Sequence, residues 1–271
     1  MPELPEVETT CRGIAPWVEG QQIKSVVVRN ASLRWPIPDT LATTLKNRRI
    51  KGISRRGKYL LLDVGIGQVL VHLGMSGSLR VVDADAEIRK HDHVDFCLGS
   101  GKILRFHDPR RFGCVLWLEG EPQLHPLLAG LGPEPLSAGF SAEYLFKLSR
   151  KRQSPVKHFI MDSHVVVGVG NIYANEALFL AGILPTRKAG EVSKKQYEAL
   201  VDVIKAVLKR AIASGGTTLR DFVGGDGKPG YFKQQLHVYG RGGEPCTKCR
   251  THLIEIRQGQ RTTVYCPKCQ R

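Results

Sequence analysis

Four cysteines constrain this chain more than any other feature. They are spaced Cys246-x2-Cys249, then sixteen residues, then Cys266-x2-Cys269. Two such knuckles place four thiolates around one tetrahedral ion, with a β-hairpin between them. Zinc suits four thiolates and does no redox chemistry, so one structural Zn2+ is the expected cofactor, with rubredoxin-like iron as the alternative. Four protein ligands leave no open position, so the metal is not catalytic. Cys11, Cys97 and Cys114 stand apart and read as reduced, buried residues of an intracellular protein.

The rest of the chain changes texture once. Val7, Cys11, Ile14 and Val18 recur at helical spacing in residues 1–20, and Pro16 is expected to kink or end that helix. IKSVVV, KYLLLDV, QVLVHL, HVDFCL, KILRF and CVLWL then read as short strands of a β-sandwich or barrel. LGPEPLS, residues 131–137, is a candidate linker. Beyond it, helical periods cover 141–150, 171–181 and 193–213. A Gly-rich stretch and a basic tail follow.

The chain has 271 residues, with 40 Lys and Arg against 25 Asp and Glu, a formal net charge of +15. That excess points to a polyanion, nucleic acid first. The tail 241–271 carries seven Lys or Arg against two Glu, and Arg257 and Arg261 are placed in the loop between the knuckles. No apolar run is long enough to span a bilayer, and the acidic start lacks a secretory pattern, so a cytoplasmic location is expected.

That start runs against the chain's field, with Glu3, Glu6, Glu8 and Glu19 facing only Arg12 in residues 1–20. Met1 precedes Pro2, and an initiator methionine is normally removed before a small residue. A terminal proline is a secondary amine with a pKa of about 8, so a usable fraction is neutral at pH 7. Its attack on an aldehyde carbon yields a permanently charged iminium, an electron sink for elimination. Glu3 is placed to move protons beside it.

MPELPEVET, RRGKYLLL (55–62), HLGMSGSLR (72–80), HDPRRFG (107–113), GVGNIYANEALF (168–179), GGTTLRDF (215–222) and the double CxxC together resemble the bacterial formamidopyrimidine-DNA glycosylases across essentially the whole chain. The resemblance implies an α+β fold. It consists of an N-terminal helix plus β-sandwich (1–132), a helical helix-two-turn-helix region with a lesion-capping loop (133–235), and a zinc-finger hairpin (236–271), with DNA between the halves. It implies removal of oxidised purines from double-stranded DNA and cleavage of the abasic site by β- and δ-elimination. It implies a monomer without an obligate protein partner or a membrane.

Residue by residue, Pro2 matches the Schiff-base nucleophile and Glu3 the acid that assists ring opening. Lys58 matches a phosphate-contacting proton donor in β-elimination. Arg261 matches the zinc-hairpin arginine assigned to δ-elimination, where a pKa above about 12 favours phosphate stabilisation over proton donation. Met75, Arg110 and Phe112 match residues that fill the space left by an extruded base. His91, Arg152, Asn171 and Lys157 match DNA-binding positions. Thr217, Thr218, Arg220 and Tyr231 belong to a loop that closes over the flipped base. Leu4 fits the purine branch rather than the oxidised-pyrimidine endonuclease VIII branch, which opens MPEGPE. A non-catalytic zinc-containing DNA-binding protein is the alternative of a different class.

Overall fold

In the computed structural model, which describes residues 1–216 and 236–271, the short apolar runs close into two four-stranded antiparallel sheets. The chain opens with α1 (Leu4–Val18), then β1 (Ile23–Val28) and the short α2 (Leu41–Leu45). A meander follows: β2 (Gly52–Arg56), β3 (Tyr59–Asp63) and β4 (Gly67–His72). Next come β5 (Ser78–Asp83), β6 (Asp92–Leu98), β7 (Lys102–His107) and β8 (Cys114–Glu119). The sheet orders are β1-β6-β7-β5 and β2-β3-β4-β8.

One core joins the two sheets. Ile23, Val94, Phe96, Leu104 and Phe106 come from one sheet, and Leu60, Leu62, Val69, Val71 and Val115 from the other. Val7, Cys11, Ile14 and Val18 of α1 join it. Each such side chain contributes about 1.5–3 kcal/mol by leaving water. Of the sandwich or barrel expected from the short apolar runs, the sandwich is present.

Three local expectations change. GISRR and SLRVVD become β2 and β5 despite their arginines, because the ladders to β3 and β7 satisfy their backbone groups whatever the side chains. Leu41–Leu45, within the strand-rich stretch, is helical. Pro16 does not end α1. The helix runs to Val18, which is fully buried, and the Glu19 N–H closes the last turn on the Ala15 carbonyl at 3.0 Å. A proline so near the C-terminus removes one ladder bond, and core packing outweighs that loss.

After α3 (Pro126–Ala129) the helices take over: α4 (Ala142–Ser149), α5 (Val156–Met161), α6 (Asn171–Leu180) and α7 (Lys194–Ala213). The Ser141 hydroxyl caps α4 by accepting the Tyr144 N–H at 3.2 Å. Tyr197, Leu200, Val201, Ile204, Val207, Leu208 and Ala211 bury one face of α7, which packs on α4 and α6. β9 (Ile254–Gln258) and β10 (Arg261–Tyr265) form the terminal hairpin.

Packing divides the chain into two units. Residues 1–129, joined by the described residues 214–216, form the first; 130–213 and 236–271 form the second. LGPEPLS is pinned inside the second unit. Gly132 N–H donates to the Ser163 carbonyl at 2.8 Å, and Val167 N–H to the Pro133 carbonyl at 3.2 Å. Among the described residues no helix is long and apolar enough to cross a membrane.

Candidate active site

The start of α1 gathers acid and base in one small volume. Glu3 is its N-cap and Pro5 is accommodated in the first turn. Glu6 Oε2 accepts the Glu3 N–H at 2.8 Å, and the Glu3 carboxylate reciprocates at the Glu6 N–H. Pro2, Glu3 and Glu6 are all buried. Burial lowers the pKa of the Met1 amine, which precedes Pro2, below its ordinary 8.0. Glu3 and Glu6 oppose that shift, while Lys58 and Arg110 add to it. An amine buried in this way is more often neutral, and so more nucleophilic, than one in water.

Lys58 reaches this region from a tight turn. Gly57, with φ +58°, and Lys58 link β2 to β3. Only the first turn residue takes positive φ, which glycine adopts freely. Lys58 also acts on His72, at the end of β4. Burial first, then Lys58 and Arg34, depress the His72 pKa to about 4, so this imidazole is neutral at pH 7. Its Nδ1 accepts the Gly74 N–H at 3.1 Å, which requires an unprotonated nitrogen. Arg34 further lines a cavity of about 470 Å³ with Ser32, Leu33, Arg110, Arg111 and Phe112.

Met75, Arg110 and Phe112 are exposed, as their glycine-flanked loops imply. Phe112 keeps 45% of its surface in water and Met75 38%. The Arg110 guanidinium lies over the Phe112 ring, 4.9 Å from its centroid. His91 is half-buried, edge-on to His93 and His107.

In the second unit α6 carries the terminal hairpin. Asn171 opens α6 after Gly170, and its amide donates to the Thr262 carbonyl at 3.0 Å. Asn175 Oδ1 accepts the Val264 N–H at 2.8 Å. The buried Glu176 carboxylate accepts N–H groups of His237, Val238 and Tyr239 at 2.8–2.9 Å. Lys157, expected at DNA, is instead fully buried. Its ammonium donates to the Thr262 carbonyl at 2.9 Å and to Thr263 Oγ1 at 2.7 Å. It steadies β10, because a buried ammonium must find acceptors inside the protein. Arg152 is exposed.

Arg257 and Arg261 are strand residues rather than loop residues. Gln258 pairs with Arg261 in register, so the turn is only Gly259 and Gln260, with Gly259 at φ +60°. Arg257 lies within β9 and Arg261 opens β10, exposed. Arg261 lines a cavity of about 270 Å³ with His158, Met161, Asp162 and Gln258–Gln260.

The sulfurs of Cys246, Cys249, Cys266 and Cys269 all lie within 4.8 Å of one another. Cys249 and Cys266 approach to 3.5 Å, and Cys246 and Cys269 to 4.0 Å. Zinc–sulfur bonds of about 2.3 Å at tetrahedral angles separate sulfurs by about 3.8 Å, so the set fits Zn2+. Backbone N–H groups of Lys248 and Cys269 point at Cys246 Sγ and Cys266 Sγ, both at 3.4 Å, as thiolate ligands require.

Thr217, Thr218, Arg220 and Tyr231 lie outside the described residues. Sequence reasoning missed Glu6, Arg34, His72, Asn175 and Glu176. The signal for most was present. Glu6 stands three residues after a helix N-cap, and His72, Asn175 and Glu176 sit inside motifs already singled out.

Three family models cover the chain in order. They are the formamidopyrimidine-DNA glycosylase N-terminal domain (residues 1–115), the formamidopyrimidine-DNA glycosylase H2TH domain (131–223) and the zinc finger found in FPG and IleRS (243–271). Formamidopyrimidine-DNA glycosylase of Marinobacter nauticus is 61% identical over 271 residues, all of both chains. The Hahella chejuensis enzyme is 59% identical, also over all of both. The chain belongs to the formamidopyrimidine-DNA glycosylase family. Solved structures of that family agree. MutM (Fpg) of Thermus thermophilus matches with TM-score 0.90 at 37% identity, covering 99% of this chain and 98% of that one. Lactococcus lactis Fpg in complex with abasic-site DNA matches with TM-score 0.92 at 32% identity, covering 99% of each. Within the glycosylase family fold, the four cysteines are the structural zinc site.

Proposed function

We propose that this chain is a base-excision repair enzyme that removes oxidised purines from duplex DNA and then nicks the strand at the abasic site. The observation that carries the reading is the cluster at the start of α1, where Pro2, Glu3 and Glu6 are buried together and Lys58 and Arg110 act on the amine of the preceding Met1. Support comes also from relatives. Lactococcus lactis Fpg structures hold DNA containing Fapy-dG or an abasic site.

With Met1 removed, the Pro2 nitrogen attacks C1′ of the damaged nucleoside. The glycosidic C1′–N bond breaks, its electron pair leaves with the base, and the base takes one proton as Pro2 gives up its own N–H proton. Ring opening of the sugar, assisted by Glu3, gives an iminium between Pro2 and C1′. The iminium accepts the electrons of a C2′–H bond, and the 3′ phosphate departs in β-elimination. Loss of a further proton expels the 5′ phosphate in δ-elimination. Lys58 and Arg261 stabilise the phosphates. Met75, Arg110 and Phe112 fill the vacated stack, and His91, Arg152 and Asn171 hold backbone. The zinc supplies hairpin structure only. The enzyme acts in the bacterial cytoplasm, on chromosomal DNA.

Borohydride trapping on duplex DNA containing 8-oxoguanine opposite cytosine tests this. A covalent adduct is expected from the wild-type chain and a strongly reduced yield from Pro2→Gly. An adduct of unchanged yield in that variant would refute the nucleophile. Faster excision of thymine glycol than of 8-oxoguanine would move the chain to the oxidised-pyrimidine branch. Lys58→Gln removes one of the cations that lower the pKa of the Met1 amine; the same loss of positive charge beside a terminal Pro2 should move the acidic limb of the adduct-formation rate to higher pH.

A further inference from the structure

The loops bearing Met75 and Arg110–Phe112 are separate in sequence but share one buried acceptor. Asp108 is fully buried at the end of the strand-to-turn passage that follows β7. Its Oδ2 accepts the Gly113 N–H at 2.7 Å. Its Oδ1 accepts the Arg110 N–H and the Ser76 hydroxyl, each at 3.3 Å. The first two bonds close the turn that displays Arg110 and Phe112. The third crosses to the neighbour of Met75. The Asp108 backbone is held as well: its N–H donates to the His91 carbonyl at 3.0 Å, and its carbonyl lies 2.8 Å from His93 Nε2.

Close backbone approach completes the joint. A Cβ on Gly74 would stand 2.5 Å from Gly113 N and from the Phe112 carbonyl carbon. A Cβ on Gly113 would stand 2.5 Å from the His72 carbonyl oxygen. Gly74 also has φ +63°, and Arg111 has φ +56°, a strained value for a side-chain-bearing residue. Such strain persists where surrounding bonds over-determine it, and the Arg111 N–H to the Asp108 carbonyl at 3.2 Å is one of them.

The geometry points to Asp108 as a positioning residue, acting through Ser76 and the Gly113 N–H to couple the two loops, so that Met75, Arg110 and Phe112 enter the base stack as one preassembled wedge. This rests on the reading of the chain as a base-extruding glycosylase. A buried carboxylate accepting three donors is costly to disturb, and a wedge displaced by a fraction of an ångström loses much of its effect. The coupling therefore acts on extrusion and not on the later eliminations, because an abasic site has no base to extrude.

Ser76→Ala tests the coupling alone. It removes the cross-loop bond and leaves the Asp108 turn closed. Asp108→Asn tests the whole joint, since an amide turns one acceptor into a donor facing donors. Both are compared with wild-type on two duplexes, one with 8-oxoguanine and one with a preformed abasic site. A 2-aminopurine beside the lesion reports unstacking in single-turnover mixing. The expected result for Ser76→Ala is a loss of about tenfold in both unstacking and base excision, with abasic cleavage within about twofold of wild-type. Asp108→Asn should show the same pattern more strongly. Equal losses on both duplexes, or Ser76→Ala matching wild-type in unstacking, would overturn the coupling. Wild-type protein that cleaves neither duplex would instead overturn the glycosylase reading on which it rests.

Discussion

The sandwich and the terminal hairpin hold their functional residues by opposite means. In the sandwich, a large apolar core from two sheets and α1 supplies stability, and the buried carboxylates Glu3, Glu6 and Asp108 set geometry at its surface. The hairpin has almost no core. Phe179, Val238, Leu253 and Val264 are its buried apolar residues, together with two of its own metal ligands. There the metal and polar tethers from Lys157, Asn175 and Glu176 supply stability as well as geometry. The difference teaches that buried polar groups have different weight in the two regions. They orient in one and hold together in the other.

The largest test of that contrast is metal loss. Cys246→Ser, or chelation, should unfold the hairpin, since zinc binding in small four-ligand modules is worth about 10–16 kcal/mol. Metal analysis should fall to zero, DNA affinity should collapse, and the β-sheet circular dichroism of the sandwich should persist. Loss of the sandwich signal as well would break the comparison.

Single side chains come next. Phe106→Ala should lower unfolding stability by about 3–5 kcal/mol through a cavity in the sandwich. Glu176→Ala should lower it by about 2–4 kcal/mol, because the buried Val238 N–H and the part-buried N–H groups of His237 and Tyr239 lose this acceptor. Hydrogen exchange separates the two: fast exchange confined to residues 237–239 and the hairpin is expected only for Glu176→Ala.

A pH effect belongs to the sandwich. His72 titrates near 4 when folded and near 6.5 when unfolded. The unfolded chain binds the proton more readily, so this group's contribution is whole above pH 6.5 and is lost as pH falls toward 4. The loss is up to about 3 kcal/mol. Denaturation midpoints of wild-type and His72→Gln across that window should converge at low pH. Parallel curves would refute the assignment. The smallest effect is at the surface of the second unit, where Glu244→Gln breaks the exposed pair with Arg241. It should change stability by less than about 0.5 kcal/mol, read as the denaturant midpoint.

Much of the fold was legible because its signals are local. A CxxC knuckle, a short apolar strand and the buried stripe of α7 each declare themselves within a few residues. β2 and β5 did not, since their pairing partners and not their own side chains make them strands. Lys157 read as one more cation for DNA because charge is visible in sequence and burial is not. Arg261 read as a loop residue because a two-residue turn at Gly259 leaves little composition to detect.

By itself the sequence determined the metal ligands, the proline at the second position with an acid beside it, the excess of positive charge and the glycine-flanked loops that expose Met75 and Phe112. These follow from residue type and short spacing, which folding does not alter. Only the tertiary structure decided that Pro2, Glu3 and Glu6 are buried together, that Lys157 and Glu176 serve the hairpin, and that Asp108 joins two loops more than thirty residues apart. Those outcomes depend on desolvation and on distances across the chain, and both exist only once the core has closed.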